Sequence, residues 1–165
     1  MLQSIPLNTR CFIDANIFIY HHIFIPGLSD VCTDFLERIE RGELRGFTSA
    51  VAVAEAVHKV MLGEAMARHG LPHKGLAHYL QSHPQLISSL SKHRDVIETV
   101  RALGLHIEPT TLDLLDSAAT LSIKHQLLTN DSLTVAAMEK LQLRDLVTND
   151  DNFDSLTGLQ VWKPR

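Results

Sequence analysis

The chain has 165 residues, 45% of them hydrophobic, which suits one compact domain with a single substantial core. Fifteen Lys and Arg against nineteen Asp and Glu leave a formal charge of −4, which argues against holding nucleic acid by a general basic surface. Only two cysteines occur, no basic-then-apolar leader opens the chain, and no run reaches the roughly 20 apolar residues of a membrane span. A cytoplasmic protein with reduced thiols is therefore expected.

Residues 10–13 (RCFI) run into Asp14 and the apolar NIFIY, read as a buried strand whose carboxyl end opens into a helix. Asp14 is thus expected at a strand's carboxyl end. Ser29 or Asp30 is placed to cap a helix through VCTDFLERIERG, closed by Gly42. FTSA reads as a second short strand, with Thr48 or Ser49 capping a long helix from about Ala50 to His69. Two Pro-led segments, LPHKGLAHYLQSH and PQLISSLSKHRDVIETVRALG, suggest a helical hairpin at about 71–103. LHIEPT reads as a strand, TLDLLDSAATLSIKHQ and about Asp131–Leu141 as helices, DLVT as a strand, and LQVWKP as a last extended piece after an acidic turn. Strands separated by helices predict an α/β domain over residues 1–165, with a central, mainly parallel, twisted sheet covered on both faces.

The triplet Thr-Asn-Asp occurs twice, at 129–131 opening a helix and at 148–150 ending a strand. Taken alone, Asp131 is an acid in a helix's first turn, favoured by the helix dipole, and Asp150 an acid in a solvated turn. Asp14 taken alone is an Asx-turn or helix cap. Glu55 is the only charge between Arg45 and Lys59, in an apolar helix, and needs a partner such as Lys59 at i+4, some exposure, or a cation. Together, three carboxylates at a parallel sheet's carboxyl edge or a helix start beside it, with an isolated Glu after the second strand, form a set of hard oxygen donors suited to Mg²⁺ or Mn²⁺. Such an ion would also remove the repulsion between the cluster and a phosphate.

FIDANIFIY, TSAVAVAEAV, NDSLTVAAM and LVTNDDNF resemble, in order and spacing, the opening strand with its Asp, the Glu-bearing helix, the Asp-x-x-x-x-Ala-Ala helix and the closing Thr-x-Asp-x-x-Phe turn of the PIN-domain family. That family contains small metal-dependent ribonucleases, including the VapC-type toxins of toxin–antitoxin pairs, and the resemblance covers nearly the whole chain. It implies the PIN-like three-layer α/β/α fold, an acidic quartet of Asp14, Glu55, Asp131 and Asp150 holding Mg²⁺ or Mn²⁺, and Asn16, Thr148 and Asn152 around it. Asn152 stands where members often carry a second Asp, and Asp151 and Asp154 lie close enough to take the place of Asp150.

The resemblance further implies hydrolysis of RNA phosphodiesters by a metal-activated water, a cognate antitoxin and a homodimer, with apolar helices near the N-terminus and in the hairpin as docking faces. Arg38, Arg41 and Arg45 are candidates for phosphate contacts, against a solvated face laced with Glu37, Glu40 and Glu43. A zinc site at His69 and His73 is disfavoured by the intervening Gly70 and Pro72. Two other readings stand beside the nuclease: a PIN-fold module that binds RNA or a partner without cutting, and a haloacid-dehalogenase-like phosphatase with Asp14 as nucleophile. The second lacks an Asp at position 16 and a suitable Lys.

Overall fold

A computed structural model describes residues 1–165. Five short strands form one sheet in the order β3-β2-β1-β4-β5: β1 (Arg10–Ile13), β2 (Arg45–Ser49), β3 (His106–Glu108), β4 (Asp145–Val147) and β5 (Gln160–Trp162). Every pairing is parallel. Eight helices accompany them: α1 (Ala15–His22), α2 (Ser29–Glu40), α3 (Ala50–His69), α4 (Leu76–Ser82), α5 (Pro84–Ile87), α6 (Lys92–Ala102), α7 (Leu112–His125) and α8 (Thr129–Lys140). Alternation along β1 builds the layers. Cys11 and Ile13 pack with α1, α2, α3 and α6 on one face, while Phe12 packs with α7 and α8 on the other. The result is the expected three-layer α/β/α architecture.

Strand β1 ends at Ile13, with Asp14 at its carboxyl end as expected. The chain turns helical at Ala15 because the Asp14 carboxylate accepts the Ala15 amide at 2.7 Å and so caps α1 immediately after β1. Neither Ser29 nor Asp30 caps α2; Ser29 is its first residue, and its hydroxyl accepts from the Ile25 amide and donates to the Ile23 carbonyl instead. Ser49 does cap α3, accepting the Ala52 amide at 3.1 Å, and Gly70 ends that helix in the left-handed region at φ 64°.

Between Gly70 and β3 the chain forms α4, α5 and α6. Pro84 opens α5, but Pro72 lies outside any helix, and α4 starts only at Leu76 after Gly75. Leu76, Leu80 and Leu90 bury themselves with Ala65 in a small core of their own. Glu64, 8% exposed, anchors this region to α3 by accepting the backbone amides of Ser91 and Lys92 at 2.9 and 2.8 Å.

Strands β2 and β4 flank β1 on opposite sides, so the connections leave its carboxyl end in opposite directions and open a crevice there. Helix α8 leads directly into the parallel strand β4, which requires it to run against the strands and to begin at that same edge. Seven successive buried residues, Ser132 to Met138, lock it between the sheet and its helical neighbours.

Candidate active site

The crevice is a cleft of about 310 Å³ lined by Asp14, Glu55, Asp131 and Asp150 together with Asn16, Tyr20, Asn130 and Asn149. All four carboxylates singled out in the sequence line it, and each is half-buried. No lysine or arginine lines it.

Asp14 is the hub. Its Oδ1 caps α1, and its Oδ2 accepts the Thr148 hydroxyl at 2.6 Å and the Asn16 amide at 2.7 Å. Thr148, fully buried, in turn accepts from Asn16 Nδ2 at 2.8 Å and from the Asp150 backbone amide at 3.0 Å. Burial pushes the Asp14 carboxyl up to about 6, and Glu55 and Asp150 add to the rise, against the opposing pull of Thr148 and the Ala15 amide. Asp131 is raised for the same reasons, burial first and then Asp150 and Glu55, while the Asn152 hydrogen bond lowers it. Two of the four acids are therefore raised, mainly by burial and to a smaller extent by the neighbouring carboxylates.

Side-chain amides link the carboxylates. Asn130 Nδ2 donates to Glu55 at 3.0 Å, and Asn152 Nδ2 donates to Asp131 at 3.0 Å and Asp150 at 3.5 Å. Glu55 makes no ion pair with Lys59. No three His, Cys, Asp or Glu side chains gather at the spacing of a formed ion site. The donor set nevertheless fits a hard divalent cation: four carboxylates at one cleft, no competing base, and raised proton affinity at Asp14 and Asp131.

Asp151 and Asp154 point away from the cleft. Both pair with Lys163 at 2.9 Å, so Asp150 is the acid of this turn that faces the crevice. The arginine candidates are spent elsewhere: Arg38 donates to the carbonyls of Leu2 and Ile5 and pairs with Glu43, and Arg41 pairs with Glu37 and Glu43. Arg45 opens β2 opposite Arg10, at the amino edge of the sheet, the far end from the cleft. His69 and His73 are parted by the left-handed Gly70, and Cys11 and Cys32 are buried free thiols.

Four participants escaped the sequence reading. Asn130 and Asn149 are the middle residues of the two Thr-Asn-Asp triplets; Asn130 holds Glu55, and Asn149 donates to the Tyr20 hydroxyl at 3.2 Å. The repetition itself was the available signal for both. Tyr20 left no local signal because its partner Asn149 lies far along the chain, and Lys163 left none because a strand, β5, separates it from the acids it meets.

Comparison with known proteins bears on the family and the fold. The PIN domain family model matches residues 11–159. Among curated proteins nothing matches. Among solved structures, VapBC2 from Rickettsia felis bound to a DNA fragment from its promoter is similar, with a TM-score of 0.57, 15% identity, and 94% of this chain and 98% of the other covered. A toxin–antitoxin complex from Klebsiella pneumoniae is similar with a TM-score of 0.54, 17% identity, and coverage of 94% and 98%. At these identities the likeness speaks for the fold.

Proposed function

This chain belongs to the PIN-domain family, whose members are generally nucleases that use divalent metal ions, and on that premise we propose that it is a Mg²⁺- or Mn²⁺-dependent endoribonuclease, the toxin of a toxin–antitoxin pair. The observation that carries this reading is the convergence of Asp14, Glu55, Asp131 and Asp150 on one cleft that no cationic side chain lines. These four would hold the ion, with Thr148 and Asn16 fixing Asp14, and Asn152 spacing Asp131 from Asp150. When bound, the ion would supply charge to the phosphate and acidify a water for in-line attack.

The chain's own residues set the rest of the chemistry. Asp14, raised to about 6, is ionised at neutral pH and available to a cation. The first turns of α1 and α8 direct their amide dipoles toward Asp14 and Asp131, which offsets part of the repulsion before an ion arrives. Lys59 stands one helical turn beyond Glu55, exposed and without an ion pair, in a trough that shares Ile19 with the acidic cleft. It is the cation placed to meet a phosphate of the flanking nucleotide, the role that Arg38, Arg41 and Arg45 cannot fill.

The two similar complexes are toxin–antitoxin assemblies, which supports an antitoxin as a partner of this chain. Leu112, Leu115 and Ile123 form an exposed apolar stripe on α7, a face for a second copy in a homodimer. The trough between α1 and α3, floored by Ile19, Ile23, Leu62 and Met66, offers a groove for an antitoxin helix. The hairpin region adds Leu71 and His73 to the wall of that trough. No helix is long and apolar enough to cross a membrane.

The test is incubation of the purified chain, free of any co-purified antitoxin, with a mixed tRNA and rRNA pool in Mg²⁺ or Mn²⁺, beside EDTA and Asp14→Asn controls. Discrete cuts absent from both controls support the ribonuclease. RNA binding without cutting in any metal supports the binding module, for which the amide of Asn152 between Asp131 and Asp150 is the favouring observation.

A further inference from the structure

The turn that carries Asp150 is fastened from behind by a lysine that the mechanism does not use. Lys163 follows β5, and its side chain is only 12% exposed. Its Nζ donates to the Asp150 carbonyl oxygen at 2.7 Å and lies 2.9 Å from a carboxylate oxygen of both Asp151 and Asp154. An ammonium has three N–H donors, and here three oxygens spread along one turn receive them.

The backbone of Asp150 is held on its other side too, where its N–H donates to the Thr148 hydroxyl that also donates to Asp14. With the peptide units before and after its Cα both fastened, the direction of the Asp150 side chain is fixed. That side chain then accepts the Asn152 backbone amide at 2.9 Å, which aims the Asn152 amide at Asp131. Without the lysine, the unpaired acids of Asp151 and Asp154 would lie within four residues of Asp150, repelling it and pulling the turn out of register. Only Arg165, at 3.7 Å from Asp151, offers another positive charge there.

We propose that Lys163 is a positioning residue of the metal site: by gripping the Asp150 carbonyl and neutralising Asp151 and Asp154, it selects Asp150 as the one acid of the turn presented to the cation. This rests on the reading that the cleft binds a divalent ion. Two physical accounts of the lysine predict opposite signs. Were Lys163 merely a nearby positive charge, its removal would strengthen cation binding. As a positioning residue, its removal weakens binding, by about tenfold or more, the usual effect of losing a partner that orients a ligand.

The experiment is calorimetric titration of Mn²⁺ into wild type, Lys163→Met and Lys163→Gln, with thermal melts to establish folding and RNA affinity measured in EDTA. A folded Lys163→Met that binds Mn²⁺ about tenfold more weakly, with RNA affinity unchanged, bears the proposal out. Unchanged or tighter Mn²⁺ binding overturns it, including when the variant only loses thermal stability. If Lys163→Met does not fold, Lys163→Gln, which keeps a neutral donor near the Asp150 carbonyl, is held to the same criterion. Absence of Mn²⁺ binding by the wild type would overturn the metal-site reading, and this inference with it; loss confined to the variants touches the inference alone.

Discussion

Replacing Asp14 by Asn should change how stability depends on pH and on metal. The folded carboxyl titrates at about 6 against 3.8 for the free side chain, so between those values the folded protein binds more protons than the unfolded chain. Stability contributed by this group is therefore present below pH 4 and is lost as pH rises through 6. The rise is worth at most about 3 kcal/mol, at about 1.4 kcal/mol per pKa unit. Asn removes that pH-dependent cost but presents an amide to the Thr148 and Asn16 donors that Asp14 Oδ2 now accepts, a loss of about 1–3 kcal/mol.

The two effects nearly cancel at neutral pH and do not cancel in acid. In EDTA, Asp14→Asn should match wild type to within about 2 kcal/mol at pH 7.5 and be less stable than wild type at pH 4, by the size of the lost hydrogen bonds. Glu43, Glu108 and Asp151, all lowered by basic partners, contribute the opposite slope equally to both proteins and drop out of the difference. Urea denaturation at the two pH values, each with EDTA and with Mn²⁺, measures both effects. Wild type should gain about 2.7 kcal/mol at a metal concentration 100 times its dissociation constant, and the variant much less. An Asn variant with the wild-type pH slope, or with the wild-type gain in Mn²⁺, refutes the argument.

Asn152→Asp replaces the amide between Asp131 and Asp150 by a fifth carboxylate; metal-free stability should drop by about 1–3 kcal/mol while the Mn²⁺-dependent rise in Tm grows, and a smaller rise in Tm counts against the amide's role as spacer. Lys59→Met should raise KM for RNA with kcat preserved and flatten the slope of log affinity against log salt by about 0.7, the value of one contact to a single strand; an effect confined to kcat excludes a phosphate contact. Ser49→Ala removes the cap that accepts the Ala52 amide and should cost about 1 kcal/mol in chemical denaturation. Its Mn²⁺ affinity should stay at the wild-type value, because Glu55 sits in the second turn of α3, beyond the capped amides.

The elements were readable from the sequence wherever the determinants are local. Ser49 and Thr111 cap their helices through amides three residues on, and apolar periodicity marks α2 and α7. NIFIY is too short to show a period, and the cap formed by Asp14 decides it for helix. The four acids each have an ordinary local explanation when taken alone, and only their joint order and spacing point to one site.

What the sequence could not decide is which side chains meet. Asp150, Asp151 and Asp154 are equivalent to any local rule; Lys163, arriving from the neighbouring strand β5, takes two of them and leaves the third. Arg38 reads as a solvated phosphate contact until the N-terminal segment is laid across it and its guanidinium is committed to buried carbonyls. The twin Thr-Asn-Asp triplets share letters but not partners, since one opens α8 over Glu55 and the other leaves β4 beside Asp14. Capping and periodicity act over a few residues, whereas pairing across the crevice depends on the strand order 3-2-1-4-5, which brings residues more than a hundred positions apart within hydrogen-bonding distance.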